Sequence, residues 1–340
     1  MREAIASLVS TIIPAYNRPE MLREAVASVL AQTYRPIEVI VVDDGSTDDT
    51  PRVVEDLSRR HPEVVLLCEK HAGPGPTREA GRQAAAGEFI QYLDSDDLLR
   101  PRKFEIQVAA LREHPECGAA YGYICVHPFD QPPKERPFKG SGETRETLFP
   151  WILADRWWNT DAPLFRRSVC DAAGPWTDLR WSQDWEYDGR IGSLGTKLVH
   201  CKEWVCDERH HAGLRQTTPA DWLEPERLLA RKRFLELMLG HAERAGVAAE
   251  MPHRKHFTRW VFATARQCAA AGMAAEARQC MELAERSAGG CREARRYFGL
   301  YRFLCTTVGS RCTGSMLHWA EKMKNPGRLT LEQSFARDLK

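Results

Sequence analysis

"PIEVIVVDDGSTDDT", Pro36 to Thr50, is the stretch from which the fold can be read. Ile37 to Val42 is an almost unbroken apolar run, as expected of a strand in a parallel sheet covered on both faces. An acidic turn follows, and then Thr50-Pro51, which reads as a helix N-cap with Pro at the first helical position. Val53, Val54 and Leu57 continue as an apolar stripe. The unit is therefore strand, acidic turn, helix.

The same unit recurs on both sides. Leu8 to Ala15 is rich in strand formers, and Pro19 opens a helix with Leu22, Ala25, Val26, Val29 and Leu30 on one face. Downstream come a strand over Val64 to Cys68, a helix from Pro76 to Ala86 and a strand over Phe89 to Leu93. Alternating strands and helices predict an α/β fold with a mostly parallel, doubly wound sheet. Ligands of such sheets sit beyond the carboxyl ends of the strands, where Tyr16, Asp43 and Asp94 to Asp97 fall.

Residues 101–113 read as a helix, Gly118 to Val126 as a strand, and 127–150 as a proline-containing loop. Residues 151–206 mix helix and strand and are rich in tryptophan. From about Glu224 the pattern is helical, with an excess of basic residues that ordinarily marks solvated helix faces. The expected organisation is a first domain over 1–220, with a nucleotide-binding half to about 126 and an acceptor half from 127, and a helical C-terminal region over 221–340.

Composition narrows the function classes. The formal charge of +1 gives no global sign of a nucleic-acid partner. Eleven cysteines include no C-x-x-C pair, which points to a reducing compartment with buried or idle thiols. No run approaches a membrane span. The N-terminus is read as the first core strand rather than a leader, so the expected location is cytoplasmic, with peripheral contact at the inner face of the membrane as a further expectation.

Two acid clusters need explaining. "EFIQYLDSDDLLRPRKF" places Asp94, Asp96 and Asp97 within four positions, straight after a strand. At roughly 5 Å each pair of such charges costs about 1 kcal/mol in water and more in a dry cleft. Capping of the next helix accounts for one carboxylate. An Asp-x-Asp at a strand end otherwise suits a hard divalent cation, Mg²⁺ or Mn²⁺, shared with substrate phosphates. In "VVDDGSTDDT", Asp48 and Asp49 read as turn and capping residues. Asp43 differs, because at a strand tip it can accept a hydrogen bond from a nucleobase N–H.

Four segments together carry a resemblance: "STIIPAYNRPEMLREAVASVLAQTY", "PIEVIVVDDGSTDDT", "GPGPTREAGRQAAAGEFIQYLDSDDLLRP" and "WSQDWEYDGRIGSLG". In order and spacing they resemble family 2 glycosyltransferases, over roughly Ser7 to Thr217. The resemblance implies the GT-A fold, a Rossmann-like sheet with flanking helices, here followed by a helical C-terminal region. It also implies an inverting, nucleotide-sugar-dependent enzyme.

By that resemblance Pro14 and Tyr16 lie against the base and ribose, Asp43 accepts from the base, and Arg78 stands beside it. Asp94, Ser95 and Asp96 are similar to the family's D-x-D, with Asp94 nearer the ribose and Asp96 on the metal and diphosphate. Glu79 stands where the family usually has Asn. Asp184 in "SQDWEYDGR" is similar to the catalytic base, although Gln183 replaces the usual Glu before it. Such a base must face the sugar from the side opposite the diphosphate. Arg209 and His211 resemble a basic-plus-His element closing over the diphosphate, with His211 a metal ligand or donor and Arg209 stabilising the leaving group. His210 could take this role instead. Cys201, Cys206, His210 and His211 could alternatively form a zinc site, but their spacing is not a common one.

Trp157, Trp158, Trp176, Trp181 and Trp185 fall on the expected acceptor side, where one or two could stack on a sugar and the rest fill the core. The expected partners are a nucleoside-diphosphate sugar (UDP first, with GDP or dTDP as alternatives), a saccharide or lipid-linked acceptor, and a second copy through the helical region. Two other readings share these features: a sugar nucleotidylyltransferase, and a non-catalytic nucleotide-sugar-binding subunit in which Gln183 and Glu79 mark decay. No Walker loop, G-x-G-x-x-G or G-x-S-x-G occurs.

Overall fold

The computed structural model describes residues 4–210, 223–309 and 311–313. They divide into two compact units: the described parts of Met1–Leu148 with Trp157–Gly213, and of Phe149–Arg156 with Leu214–Lys340.

The first unit is built on one eight-stranded sheet. In chain order its elements are β1 (Ile5–Ala15), α1 (Pro19–Leu30), β2 (Ile37–Asp43), α2 (Thr50–Arg60), β3 (Val64–Cys68), α3 (Pro74–Ala84) and β4 (Gly87–Tyr92). They are followed by β5 (Leu98–Leu99), α4 (Lys103–Glu113), β6 (Cys117–Pro128), β7 (Leu164–Arg166), α5 (Arg167–Ala173), α6 (Gln183–Ser193) and β8 (Lys197–His210). The strand order is β3-β2-β1-β4-β7-β6-β8-β5. The first four neighbours pair in parallel, β7 runs antiparallel to β4 and β6, and β8 runs parallel to β6.

The apolar run of β2 is buried as its sequence requires: Val39, Ile40, Val41 and Val42 are at most 2% exposed. At roughly 1.5–3 kcal/mol for each such side chain, the central strands are a major part of this unit's core. Leu22, Ala25, Val26 and Val29 of α1 and Val53, Val54 and Leu57 of α2 are also buried.

Register then aligns the strand tips. Ala15 pairs with Asp43, and Asp43 with Cys68. The chain order reverses at β1, which has β2 on one side and β4 on the other. That is the topological switch point where a crevice is expected.

Two local readings are corrected. Thr50 is not the N-cap of α2 but its first residue, and its hydroxyl accepts a hydrogen bond from Arg18 N at 3.0 Å. The Thr50 N–H is taken by Asp48 instead, at 2.9 Å. Helix α3 begins at Pro74, two residues before the predicted start, because Gly73 at φ +90° turns the chain into it. The tryptophan segment is mostly core, with Trp157, Trp158 and Trp176 buried and Trp181 and Trp185 partly exposed. All eleven cysteines are free thiols.

The second unit consists of α7 (Pro225–Arg244), α8 (Pro252–Ala270), α9 (Ala274–Ser287) and α10 (Arg292–Val308), with the segment Phe149–Arg156. Its core helix is α8, which buries Phe257, Trp260, Val261 and Phe262. Trp151 packs edge-on against His253, with ring centroids 4.7 Å apart. No described helix is long and apolar enough to cross a membrane.

Candidate active site

The site assembles beyond the carboxyl ends of β1, β2 and β4. Pro14 is the penultimate residue of β1 and pairs with Val42, so Tyr16 emerges beside the end of β2. The Tyr16 ring is 43% exposed and lies 4.5 Å from the His71 ring, tilted by 32°. Asp43 closes β2. Its Oδ2 accepts from Ser46 N at 3.0 Å, whereas its buried Oδ1 has no hydrogen-bond partner. A buried acceptor left unmade is costly, and a ligand donor would relieve that cost.

Asp44, which the sequence reading passed over, holds the neighbouring loop. Its carboxylate accepts from Ala72 N at 2.8 Å and Gly73 N at 3.0 Å, and His71 Nδ1 lies 3.0 Å away. These bonds set the entry to α3 and so the direction of Arg78. Arg78 is 4% exposed, ion-paired with Asp94, and lies over the Trp176 ring at 5.0 Å. Glu79 is committed to Arg82 at 2.8 and 2.9 Å, to Gln83 at 2.9 Å and to Trp176 N at 3.3 Å. It braces α3 against the segment leading to α6.

The Asp94–Asp97 turn closes through Asp97 N on the Asp94 carbonyl, at 3.1 Å, with Ser95 buried inside it. Asp96 pairs with Arg18. The sequence reading missed what lies beneath. Asp161, fully buried, accepts from Asp94 N at 2.8 Å and from Asn159 Nδ2 at 3.0 Å. Carboxylate oxygens of Asp94, Asp97 and Asp161 all lie within 4.8 Å of one another. Asp96, the expected metal ligand, is in the same turn but is not one of these three. No spacing signal in the sequence joins Asp161 to a turn 64 positions earlier; strand pairing of β4 with β7 does so.

The electrostatics follow from this crowding. Burial pushes the Asp97 carboxyl well above its ordinary range, and Asp161, Asp96 and Asp94 push it further. Burial and Asp94 raise the Asp161 carboxyl to about 8. Asp94 is also raised, first by burial, with Arg78 opposing and Asp96 and Asp184 adding to the rise. Asp184 therefore lies within electrostatic reach of Asp94.

Asp184 stands in the first turn of α6, and its carboxylate accepts from Trp185 N at 2.8 Å. Ser182, in the left-handed region at φ +60°, precedes α6, and Gln183 is buried at the helix start. The rest of the motif is structural. Arg190 binds Glu186 at 2.5 and 3.1 Å, and Tyr187 stacks on Trp176 at 4.1 Å.

Arg209 is buried in β8 and grips the acidic turn. Its N–H donates to Asp97 Oδ1 and its Nε to the Asp96 carbonyl, both at 2.7 Å, while the guanidinium pairs with Glu24 and lies over Phe129 at 4.6 Å. His210 is exposed beside Glu208, at 3.2 Å. His211 lies outside the described residues. The alternative zinc set finds no support among the described residues: Cys206 is buried with its thiol toward Asn159, and neither cysteine joins a metal-binding group.

Residues 10–169 match the model of "Glycosyl transferase family 2". An uncharacterized glycosyltransferase of Rickettsia conorii is 32% identical over 145 residues, covering 43% of this chain and 23% of that protein. The chain thus spans less than a quarter of that relative's length. Among solved structures, residues 1–349 of S. aureus TarS in complex with UDP-GlcNAc superpose with a TM-score of 0.56 at 16% identity, covering 84% of this chain and 91% of the other. The mannosyltransferase PcManGT from Pyrobaculum calidifontis, in complex with GDP-Man and Mn²⁺, gives 0.50 at 20% identity, covering 92% and 86%. The strand order and the solved structures make the fold GT-A, and within it residues 10–169 are similar to glycosyl transferase family 2.

Proposed function

We propose that this chain is an inverting glycosyltransferase that moves a monosaccharide from a nucleoside-diphosphate sugar to the hydroxyl of a saccharide or lipid-linked acceptor. UDP is the first candidate nucleotide, with GDP and dTDP as alternatives, and the setting is bacterial-type polysaccharide, glycolipid or glycoconjugate synthesis. The observation that carries the reading is the acidic turn at the end of β4, where carboxylate oxygens of Asp94, Asp97 and Asp161 lie within 4.8 Å of one another at the sheet's switch point. In this reading the acid turn faces the diphosphate, and Asp184, in the first turn of α6, is the separate carboxylate that takes a proton. The similarity to proteins solved with UDP-GlcNAc and with GDP-Man supports a nucleotide-sugar donor.

Each residue has a task. The unpartnered Asp43 Oδ1 accepts from a base N–H, and Tyr16 with His71 flanks the base. Arg78 turns its remaining donors toward ribose and phosphate. Arg209 positions the Asp96–Asp97 turn from behind. Asp184, in the first turn of α6, removes the acceptor hydroxyl proton as that oxygen attacks the anomeric carbon. The attack is in line with the departing diphosphate, through an oxocarbenium-like transition state, so the anomeric configuration inverts in one step.

The carboxylate-only donor set fits Mg²⁺ or Mn²⁺. Asp97 and Asp161 are buried and already hold backbone N–H groups, so Asp94 and Asp96 at the open side would hold the ion. A bound divalent cation would offset charge developing on the leaving diphosphate oxygen.

The test is product analysis. With Mn²⁺ and a nucleotide sugar the wild type should release nucleoside diphosphate, and Asp184→Asn should lose about 10²–10⁴-fold in rate with donor affinity kept. Release of pyrophosphate, or transfer unchanged in Asp184→Asn, would overturn the assignment.

A further inference from the structure

Three of the chain's exposed large apolar side chains lie within seven residues of one helix. In α10, Tyr297 is 53% exposed, Leu300 57% and Phe303 62%. At 3.6 residues per turn, Leu300 and Phe303 fall on the outward face and Tyr297 at its edge, while Phe298 and Tyr301 point inward and are buried. Tyr297 keeps an edge contact with Phe262, at 5.2 Å, so the face continues into the packed unit rather than hanging free.

Cations accompany this face. Arg292 and Arg296 are exposed, and the helical angle sets both on the same side of α10 as Phe303, about three and two turns before it. Arg302 is 58% exposed beside Glu285, and Arg311 is exposed just past the helix end. Across 292–311 the sequence has five arginines against one acid, Glu293. A solvated helix would not spend its most exposed positions on Leu and Phe. A protein-binding face of this charge would call for an acidic partner, but a surface of interleaved arginine and aromatic side chains matches the headgroup boundary of an anionic bilayer. There guanidinium groups meet phosphate while Leu and Phe enter the acyl edge.

We infer that the outward face of α10 is a membrane-docking surface for anionic lipid, lying in the interface plane without crossing it. The inference concerns the helical unit alone and stands whether or not the proposed sugar transfer is correct.

Co-sedimentation of the full chain with phosphatidylcholine vesicles, with and without phosphatidylglycerol, tests it. The wild type should bind only the anionic vesicles and lose binding as salt is raised. Both Leu300→Ser/Phe303→Ser and Arg292→Glu/Arg296→Glu should weaken vesicle affinity by about tenfold or more. All four positions are exposed, and an unchanged thermal transition would establish that the variants fold. Absence of binding by the wild type, or equal binding by the folded variants, would overturn the inference. So would a fall in oligomeric state in the variants without a change in vesicle binding, which would assign the face to a second copy. Protection of this face by residues 314–340 would appear as vesicle binding only after their removal, and would equally overturn it for the full chain.

Discussion

Arg78 of α3 and Asp94 at the end of β4 form an ion pair in which only one guanidinium nitrogen is engaged: Nη2 meets the carboxylate, while buried Nε and Nη1 have no hydrogen-bond partner. Trp176 covers the guanidinium at 5.0 Å and excludes water from it. The pair is thus a fork with open tines. Arg78→Met should weaken nucleoside-diphosphate binding by about 1.5–3 kcal/mol, the range for a hydrogen bond to a charged group. Arg78→Lys should recover only part, since an ammonium restores charge but not the planar fork. Titration calorimetry with UDP decides this, and equal affinities in all three proteins would remove Arg78 from the binding site.

Asp43 concerns the base rather than the phosphates. With Oδ2 held by Ser46 N and Oδ1 open, the carboxylate is pre-set to accept one N–H. Asp43→Asn keeps the shape but can turn an NH₂ toward the base. UDP binding should fall by about 1–3 kcal/mol, and the loss should be smaller for CDP, whose ring N3 is an acceptor. An equal loss for both nucleotides would mean that Asp43 acts on the loop and not on the base.

How much of this was legible beforehand depends on the kind of contact. Strand β2 and the helices around it follow from local periodicity, so Asp43 and Asp94 could be placed at strand ends, while Asp184 was singled out only by the resemblance of "SQDWEYDGR" to the family motif. Asp44, Asp161 and Arg18 could not, because their roles come from hydrogen bonds and ion pairs reaching 28 to 78 positions along the chain. The same applies to Arg209. The resemblance implies a diphosphate contact for it, and only the fold shows that its backbone and Nε also hold the Asp96–Asp97 turn. Glu79, which departs from the family's usual Asn, is a brace for Arg82 and Gln83.

Gly75 makes a third prediction. A Cβ there would stand 2.0 Å from the Thr177 carbonyl oxygen and 3.7 Å from Gln183 Cβ. The obstacle is backbone, so it cannot swing aside. Gly75→Ala should push the 177–184 segment outward from α3, carrying Asp184 with it. Activity should fall by 10²-fold or about that, since small misplacement of a catalytic group is costly, while UDP affinity changes less. Activity and affinity both at wild-type levels would show that the segment yields without moving Asp184.

Lys103 links burial to pH. It is fully buried at the start of α4, with Nζ donating to Gln107 Oε1 at 2.6 Å and to the Ala162 carbonyl at 2.8 Å. Desolvation lowers its ammonium from the ordinary 10.5 to about 8, despite opposing attraction from Cys206 and Asp161. The sign follows from proton counting. Between pH 8 and 10.5 the unfolded chain holds a proton that the folded chain has released, so this group makes stability rise with pH across that window. Below pH 8 both states hold the proton and the full cost of burying the charge is present. Lys103→Met removes the effect. The difference in unfolding free energy between wild type and Lys103→Met should shift toward the wild type by about 3 kcal/mol over that range. Urea unfolding at a series of pH values measures it, and a difference that stays flat would mean that Lys103 titrates alike in both states.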